Sequence, residues 1–229
     1  MMETFQDRWD QVRTRMAAAC ARAGRAVDEV QLIAVSKTYG ADVVRAAAEC
    51  GVLIFGENKV QEAEAKIPDC PGHLAWHLVG HLQSNKAGRA AALFDRIHAV
   101  DSLKLLQKLD DAAAAEGKRL PVLLEINVSG ESSKFGLAPA AAPDVLAAAG
   151  GLAHAPVVGL MTMPPFAPEA EKARPHFRRL RALRDEWCAR YGLPLAELSM
   201  GMSHDFEVAI EEGATWIRVG TALFGGRGT

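Results

Sequence analysis

A (β/α)8 barrel preceded by one extra helix is the fold this sequence predicts, and three observations predict it. Eight short apolar or β-branched runs alternate with Ala-rich, charged stretches, and regular βα alternation builds a parallel sheet. The chain has 229 residues, near the roughly 250 typical of a closed eight-stranded barrel. The turn after the first run, Ser36-Lys37-Thr38-Tyr39-Gly40, is not the G-x-G-x-x-G turn expected of an open, dinucleotide-binding sheet.

The elements follow in order. Phe5, Trp9, Val12, Met16 and Cys20 recur every three or four residues, which makes one apolar stripe and predicts a helix over 4–23, ended by Gly24. Strand runs lie at 32–36, 52–55, 76–79, 97–100, 122–127, 157–161, 195–198 and 216–219. Helical patterns lie at 41–49, 58–65, 104–116, 144–148, 169–190 and 206–211. No Pro/Gly/Ser linker divides the chain, so one domain is expected over 1–229, with 1–30 as the opening helix and lead-in.

Composition narrows the function. With 26 Lys+Arg against 28 Asp+Glu, the chain lacks the basic surplus that a general grip on nucleic acid needs. Hydrophobic residues make up 49% and charged residues 24%, the balance of a globular chain with a core. Cys20, Cys50, Cys70 and Cys188 form no C-x-x-C pair, which reads as reduced thiols in a cytoplasm. The start, Met1 to Arg8, carries no secretory pattern, and no apolar run is long enough to cross a bilayer. A cytoplasmic protein with no membrane partner is expected.

Ligands of parallel βα proteins bind at the C-terminal ends of the strands. The polar residues there are Lys37, Glu57, Asn58, His81, Gln83, Asp101, Asn127, Ser129, Thr162, Ser199, Ser203 and Thr221. Lys37 comes directly off a buried strand, where a desolvated amine can attack a carbonyl and form a Schiff base. A solvated strand-end charge is the plainer reading of the same position. After the seventh and eighth strands come Ser199-Met200-Gly201-Met202-Ser203-His204-Asp205 and Arg218-Val219-Gly220-Thr221-Ala222-Leu223-Phe224-Gly225. Small residues there let backbone N–H groups approach a phosphate, the ligand that barrels often hold at these two loops. Gly201 and Gly220 could equally serve tight turns alone.

An imine-forming lysine and a phosphate cradle suggest pyridoxal 5′-phosphate (PLP), and longer motifs make a resemblance specific. They are Ala34-Val35-Ser36-Lys37-Thr38, Phe55-Gly56-Glu57-Asn58-Lys59-Val60-Gln61-Glu62 and Trp76-His77-Leu78-Val79-Gly80-His81-Leu82-Gln83-Ser84-Asn85-Lys86. Val100-Asp101-Ser102, Gly159-Leu160-Met161-Thr162 and the two loops above complete the set. With these motifs in this order, the sequence resembles the pyridoxal phosphate homeostasis proteins, relatives of the alanine racemase N-terminal barrel. The resemblance implies PLP bound as a Schiff base on Lys37, with Asn58 and His81 lining the cofactor. It implies a phosphate site on the loops that carry Ser199, Met202, Ser203, Gly220 and Thr221, and Arg218 facing the pyridine nitrogen. Two places depart from the family pattern: Tyr39-Gly40, and the bulky Phe135 of Ser133-Lys134-Phe135-Gly136.

The implied Arg218 contact has a chemical consequence. Arginine only donates, so the ring nitrogen facing it accepts and stays unprotonated, which makes a poor electron sink. Racemisation also needs an acid/base pair on opposite faces of the substrate. Racemases draw one member, a tyrosine, from a second domain, whereas this chain ends at Thr229 with only Tyr39 and Tyr191. The expectation is a monomeric PLP carrier that keeps free PLP low and supplies PLP-dependent apo-enzymes without turnover. A small racemase-like PLP enzyme is the alternative, and a PLP-free Schiff-base aldolase a third.

Two other patterns are weighed. His73, His77 and His81 have the spacing of metal ligands on a helix, but 76–79 reads as a strand, so they should not share a face. Arg174, Arg178, Arg179, Arg181 and Arg184 form a basic helix face opposite an apolar stripe and read as solvated.

Overall fold

The computed structural model describes residues 3–131 and 134–226. Met1, Ser133 and Thr229, cited above, lie outside the described residues. Eight parallel strands close into a barrel in the order β1 to β8, with β8 returning to pair with β1. They are β1 (Gln31–Val35), β2 (Ile54–Glu57), β3 (Ala75–Leu78), β4 (Arg96–Val100), β5 (Val122–Glu125), β6 (Val157–Met161), β7 (Glu197–Met202) and β8 (Trp216–Val219). Helices α1 (Phe5–Arg22), α2 (Ala41–Glu49), α3 (Val60–Lys66), α4 (Ala87–Leu93), α5 (Leu103–Ala115), α6 (Ala142–Ala149), α7 (Arg174–Tyr191), α8 (Phe206–Glu211) and α9 (Thr221–Phe224) surround it. The predicted (β/α)8 barrel with an extra N-terminal helix is the fold observed.

Local chemistry accounts for the extra helix. The Thr4 hydroxyl accepts from Asp7 N at 3.2 Å while Asp7 accepts from Thr4 N at 2.8 Å, a reciprocal capping box that fixes the start of α1. Val12, Met16, Ala19 and Cys20 are buried, and Gly24 turns the chain away at φ +65°. The helix packs against α8 and α9. Arg8 donates to Leu223 O at 2.5 Å, and Arg15 and Arg22 each reach a carboxylate of α8 at 2.7 Å.

The main core lies between sheet and helices. Inside the barrel the apolar filling is split between Ile33, Val35, Val79 and Trp216 on one side and Ala99, Leu123 and Met161 on the other. Buried polar residues occupy the rest: His77, His98, Glu125, Ser199 and Arg218 are each under 5% exposed. Burying such groups is costly unless they are hydrogen-bonded.

Several expectations about elements need correction: β2 lies two residues later than the expected 52–55, α7 begins at Arg174 rather than 169, and α9 had no expected counterpart. The seventh strand runs over Glu197–Met202, four residues past its expected end, because a register shift opposite β8 lets pairing continue to Met202↔Arg218. The fifth ends at Glu125, before the expected 127. Helix α4 had no expected counterpart: Ala-Gly-Arg-Ala-Ala-Ala-Leu buries only alanines, which leave no conspicuous stripe. On α7, Arg174, Arg178 and Arg181 converge on Glu212 at 3.0–3.2 Å, so this part of the basic face is internally paired. The four cysteines are free. Among the described residues no helix is long and apolar enough to cross a membrane, and no cluster of potential metal ligands occurs.

Candidate functional site

Lys37 follows β1 at the C-terminal end of the barrel and is half-buried. Its Nζ has no hydrogen-bond or ion-pair partner among the described residues, in contrast with the residues beside it. The Ser36 hydroxyl donates to Glu57 Oε1 at 2.7 Å, and Ser36 O accepts from Lys66 Nζ at 2.9 Å. Thr38 stands at φ +71°, where a β-branched residue is an outlier costing roughly 1–2 kcal/mol, and its N–H donates to Glu62 Oε1. Burial pushes the Glu57 carboxyl above its usual range, against the pull of Lys66 and Ser36.

Below this turn, inside the barrel, a polar chain begins at Arg218. Its Nη1 donates to Ser199 Oγ at 2.7 Å and its Nη2 to Thr162 O at 3.0 Å. His98 Nδ1 lies 2.9 Å from the same Ser199 oxygen, and His98 Nε2 lies 3.1 Å from His77 Nδ1. The guanidinium only donates, so Ser199 Oγ accepts from Arg218 and links it to the His98–His77 pair. Burial keeps both rings neutral: His77 titrates at about 3 and His98 well below the ordinary histidine value. Burial also lowers Arg218 to about 10, with Glu125 and Asp205 pulling it back up, so it stays charged at neutral pH.

Two carboxyls share the interior with Arg218. Glu125, at the end of β5, is 3% exposed, and its Oε2 has no partner among the described residues. Burial raises it to about 7, against the opposing charge of Arg218. Burial likewise raises Asp205, although its Oδ1 accepts from Met202 N at 2.6 Å.

The loops after β7 and β8 meet at one hydroxyl. Ser203 Oγ accepts from Gly220 N and Ala222 N, each at 3.2 Å. Gly201 permits this: it stands at φ +90°, and a Cβ there would come within 2.5 Å of Ala209 Cβ and 2.9 Å of Phe206 Cα. Thr221 opens α9 beside them, and the Tyr39 hydroxyl donates to Gly225 O at 3.2 Å, tying the Lys37 loop to the far end of α9.

Asn58 and His81 follow β2 and β3, where they help line a cavity of about 490 Å³ with Lys59, Gln61, Gln83 and Lys86. His81 Nδ1 is 3.1 Å from Asp101 Oδ2, and its ring stacks on Phe135 with centroids 3.9 Å apart. The bulky departure at Phe135 therefore covers His81. Of the three spaced histidines, His77 lies in the barrel and His81 on the rim, as the strand reading requires.

The structure thus brings Met202, Ser203, Gly220 and Thr221 together and brings Asn58 and His81 together after β2 and β3. Ser199 belongs to the strand rather than to the loop expected for it, and its hydroxyl is taken up by Arg218 and His98. Sequence reasoning missed Glu125, Asp205, Lys66, Glu62 and His98. Glu125 and His98 did carry a signal, being polar residues within buried apolar runs. Lys66 carried none, since its partners are brought to it only by folding.

Comparison with known proteins gives this geometry a context. The family described as alanine racemase, N-terminal domain, matches residues 9–228. The pyridoxal phosphate homeostasis protein of Aquifex aeolicus is 42% identical over 222 residues, covering 96% of this chain and 97% of that protein. Its namesake in Pseudomonas aeruginosa is 45% identical over 231 residues, covering 99% and 97%. The solved structure of PipY from Synechococcus elongatus PCC7942 with PLP bound has a TM-score of 0.81 at 41% identity, covering 93% of this chain and 100% of that one. The chain belongs to the pyridoxal phosphate homeostasis protein family, within the wider family of the alanine racemase N-terminal domain.

Proposed function

We propose that this protein binds PLP covalently through Lys37, keeps the free aldehyde scarce and passes the cofactor to PLP-dependent apo-enzymes without turning over a substrate. The observation that carries this reading is an amine without a partner among the described residues, on the same barrel face as a charged guanidinium and a pair of converging backbone N–H groups. A PLP-bound relative of high similarity supports it.

The residues present fit the cofactor. Gly220 N, Ala222 N and the Ser203 hydroxyl would hold the dianionic phosphate, and Thr221 would add a hydroxyl beside them. Arg218, with N–H groups to spare beyond its two bonds, would donate to the pyridine nitrogen, braced from behind by Ser199 and Thr162. Met202, Asn58 and His81 would border the ring. Bound PLP supplies an aldehyde: the Lys37 lone pair adds to its carbon, C=N replaces C=O, and the oxygen departs with both Nζ protons as water.

Arg218 also argues for carriage over catalysis. A donor-only partner keeps the ring nitrogen unprotonated and so withholds the electron sink that carbanion chemistry requires. The same reading expects a cytoplasmic monomer that binds neither nucleic acid nor membranes. Protein loaded with PLP should show the long-wavelength absorbance of lysine-bound cofactor, and Lys37→Ala should lack it. Unchanged absorbance in Lys37→Ala would overturn the proposal.

A further inference from the structure

Two lysines meet the turn that follows β1, and their surroundings differ sharply. Lys37 Nζ is without a partner among the described residues, whereas Lys66 Nζ has three: Ser36 O at 2.9 Å, Glu57 Oε1 at 2.6 Å and Glu62 Oε1 at 3.2 Å. An ammonium with every N–H bond engaged has no lone pair to offer an aldehyde. Its contacts instead fall on the peptide units flanking Lys37. Lys66 fixes Ser36 O, Glu57 fixes the Ser36 hydroxyl, and Glu62 takes the Thr38 N–H. The Thr38 conformation, φ +71° on a β-branched residue, is strained and persists only where its surroundings over-determine it.

We propose that Lys66, Glu57 and Glu62 act as positioning residues, a clamp that holds Thr38 in its left-handed conformation and thereby aims Lys37 into the site. This rests on the reading of Lys37 as the cofactor lysine. The clamp is built from one end of β2 and one face of α3, so it ties the direction of Lys37 to the seating of that helix. Without the clamp the turn would relax to an ordinary conformation, and only a fraction of molecules would present Lys37 correctly.

Glu62→Ala is the mild test, because Glu62 is partly exposed and removing its acceptor leaves the buried Lys66–Glu57 pair intact. Two readouts apply: hydrogen exchange at the Thr38 amide in PLP-free protein, and the rate at which Lys37 captures added PLP. Glu62→Ala should speed exchange and slow capture by about five- to thirtyfold, the population cost of the released strain. Adding Thr38→Gly should bring capture back to within about twofold of wild type, since glycine adopts positive φ nearly as readily as negative. Unchanged exchange and capture in Glu62→Ala would overturn the clamp. So would a lowered melting temperature with no rescue by Thr38→Gly, the mark of a merely structural pin. If wild type and Lys37→Ala capture PLP equally, the cofactor reading fails, and amide exchange still judges the clamp.

Discussion

Glu125 is 3% exposed, titrates at about 7 and shares the barrel interior with Arg218, and replacing it by glutamine should leave a pH-dependent trace in stability. Its ordinary value is 4.5, so between these two values the folded chain holds a proton that the unfolded chain has released. Stability contributed by the protonated carboxyl is therefore fully present below about pH 4.5 and is lost as pH rises through 7. The separation corresponds to about 3 kcal/mol once the group is ionised. Glutamine has the same shape and never ionises. The Glu125→Gln protein should match wild type near pH 4 and exceed its stability by about 3 kcal/mol at pH 8. Urea titrations of both proteins from pH 4 to 8 measure the difference, in which the other titrating groups cancel. A stability difference that stays constant across that range would refute the reasoning.

Three further predictions concern the site. Gly201→Ala places a methyl against Ala209 and the Phe206 backbone at φ +90°; it should cost about 2–4 kcal/mol, read as a lowered melting temperature. Ser203→Ala removes the acceptor of two backbone N–H groups; it should cost about 1 kcal/mol in urea and weaken PLP binding in a spectroscopic titration, and unchanged binding would count against the phosphate assignment. Alanine incubated in deuterated water with PLP-loaded protein should exchange its α-proton no faster than with free PLP, as proton NMR would show. Faster exchange would favour the racemase-like alternative.

The barrel was legible because strands buried on both faces must be continuous apolar runs, whatever the details of the loops. Legibility failed where that rule did: β7 continues to Met202 through Ser199 and Gly201, small or polar residues that read as a loop until a register shift against β8 carries the pairing onward. Lys37 and the Ser203–Gly220 cluster were legible by position, as residues at strand ends. Their supports were not, since Lys66 lies on α3 and its grip on Ser36 spans 30 residues. Glu125 was hidden differently. Reading β5 two residues too long drew attention to Asn127, whereas the carboxyl that shares the interior with Arg218 is the strand's own last residue.

Borohydride reduction of the PLP-loaded protein, followed by peptide mapping, bears most directly on Lys37 as the cofactor lysine. The account predicts one reduced pyridoxyl adduct, on the peptide that carries Lys37, and none on Lys66, whose amine is fully engaged. An adduct on any other lysine with Lys37 unmodified, or no adduct at all, would contradict it.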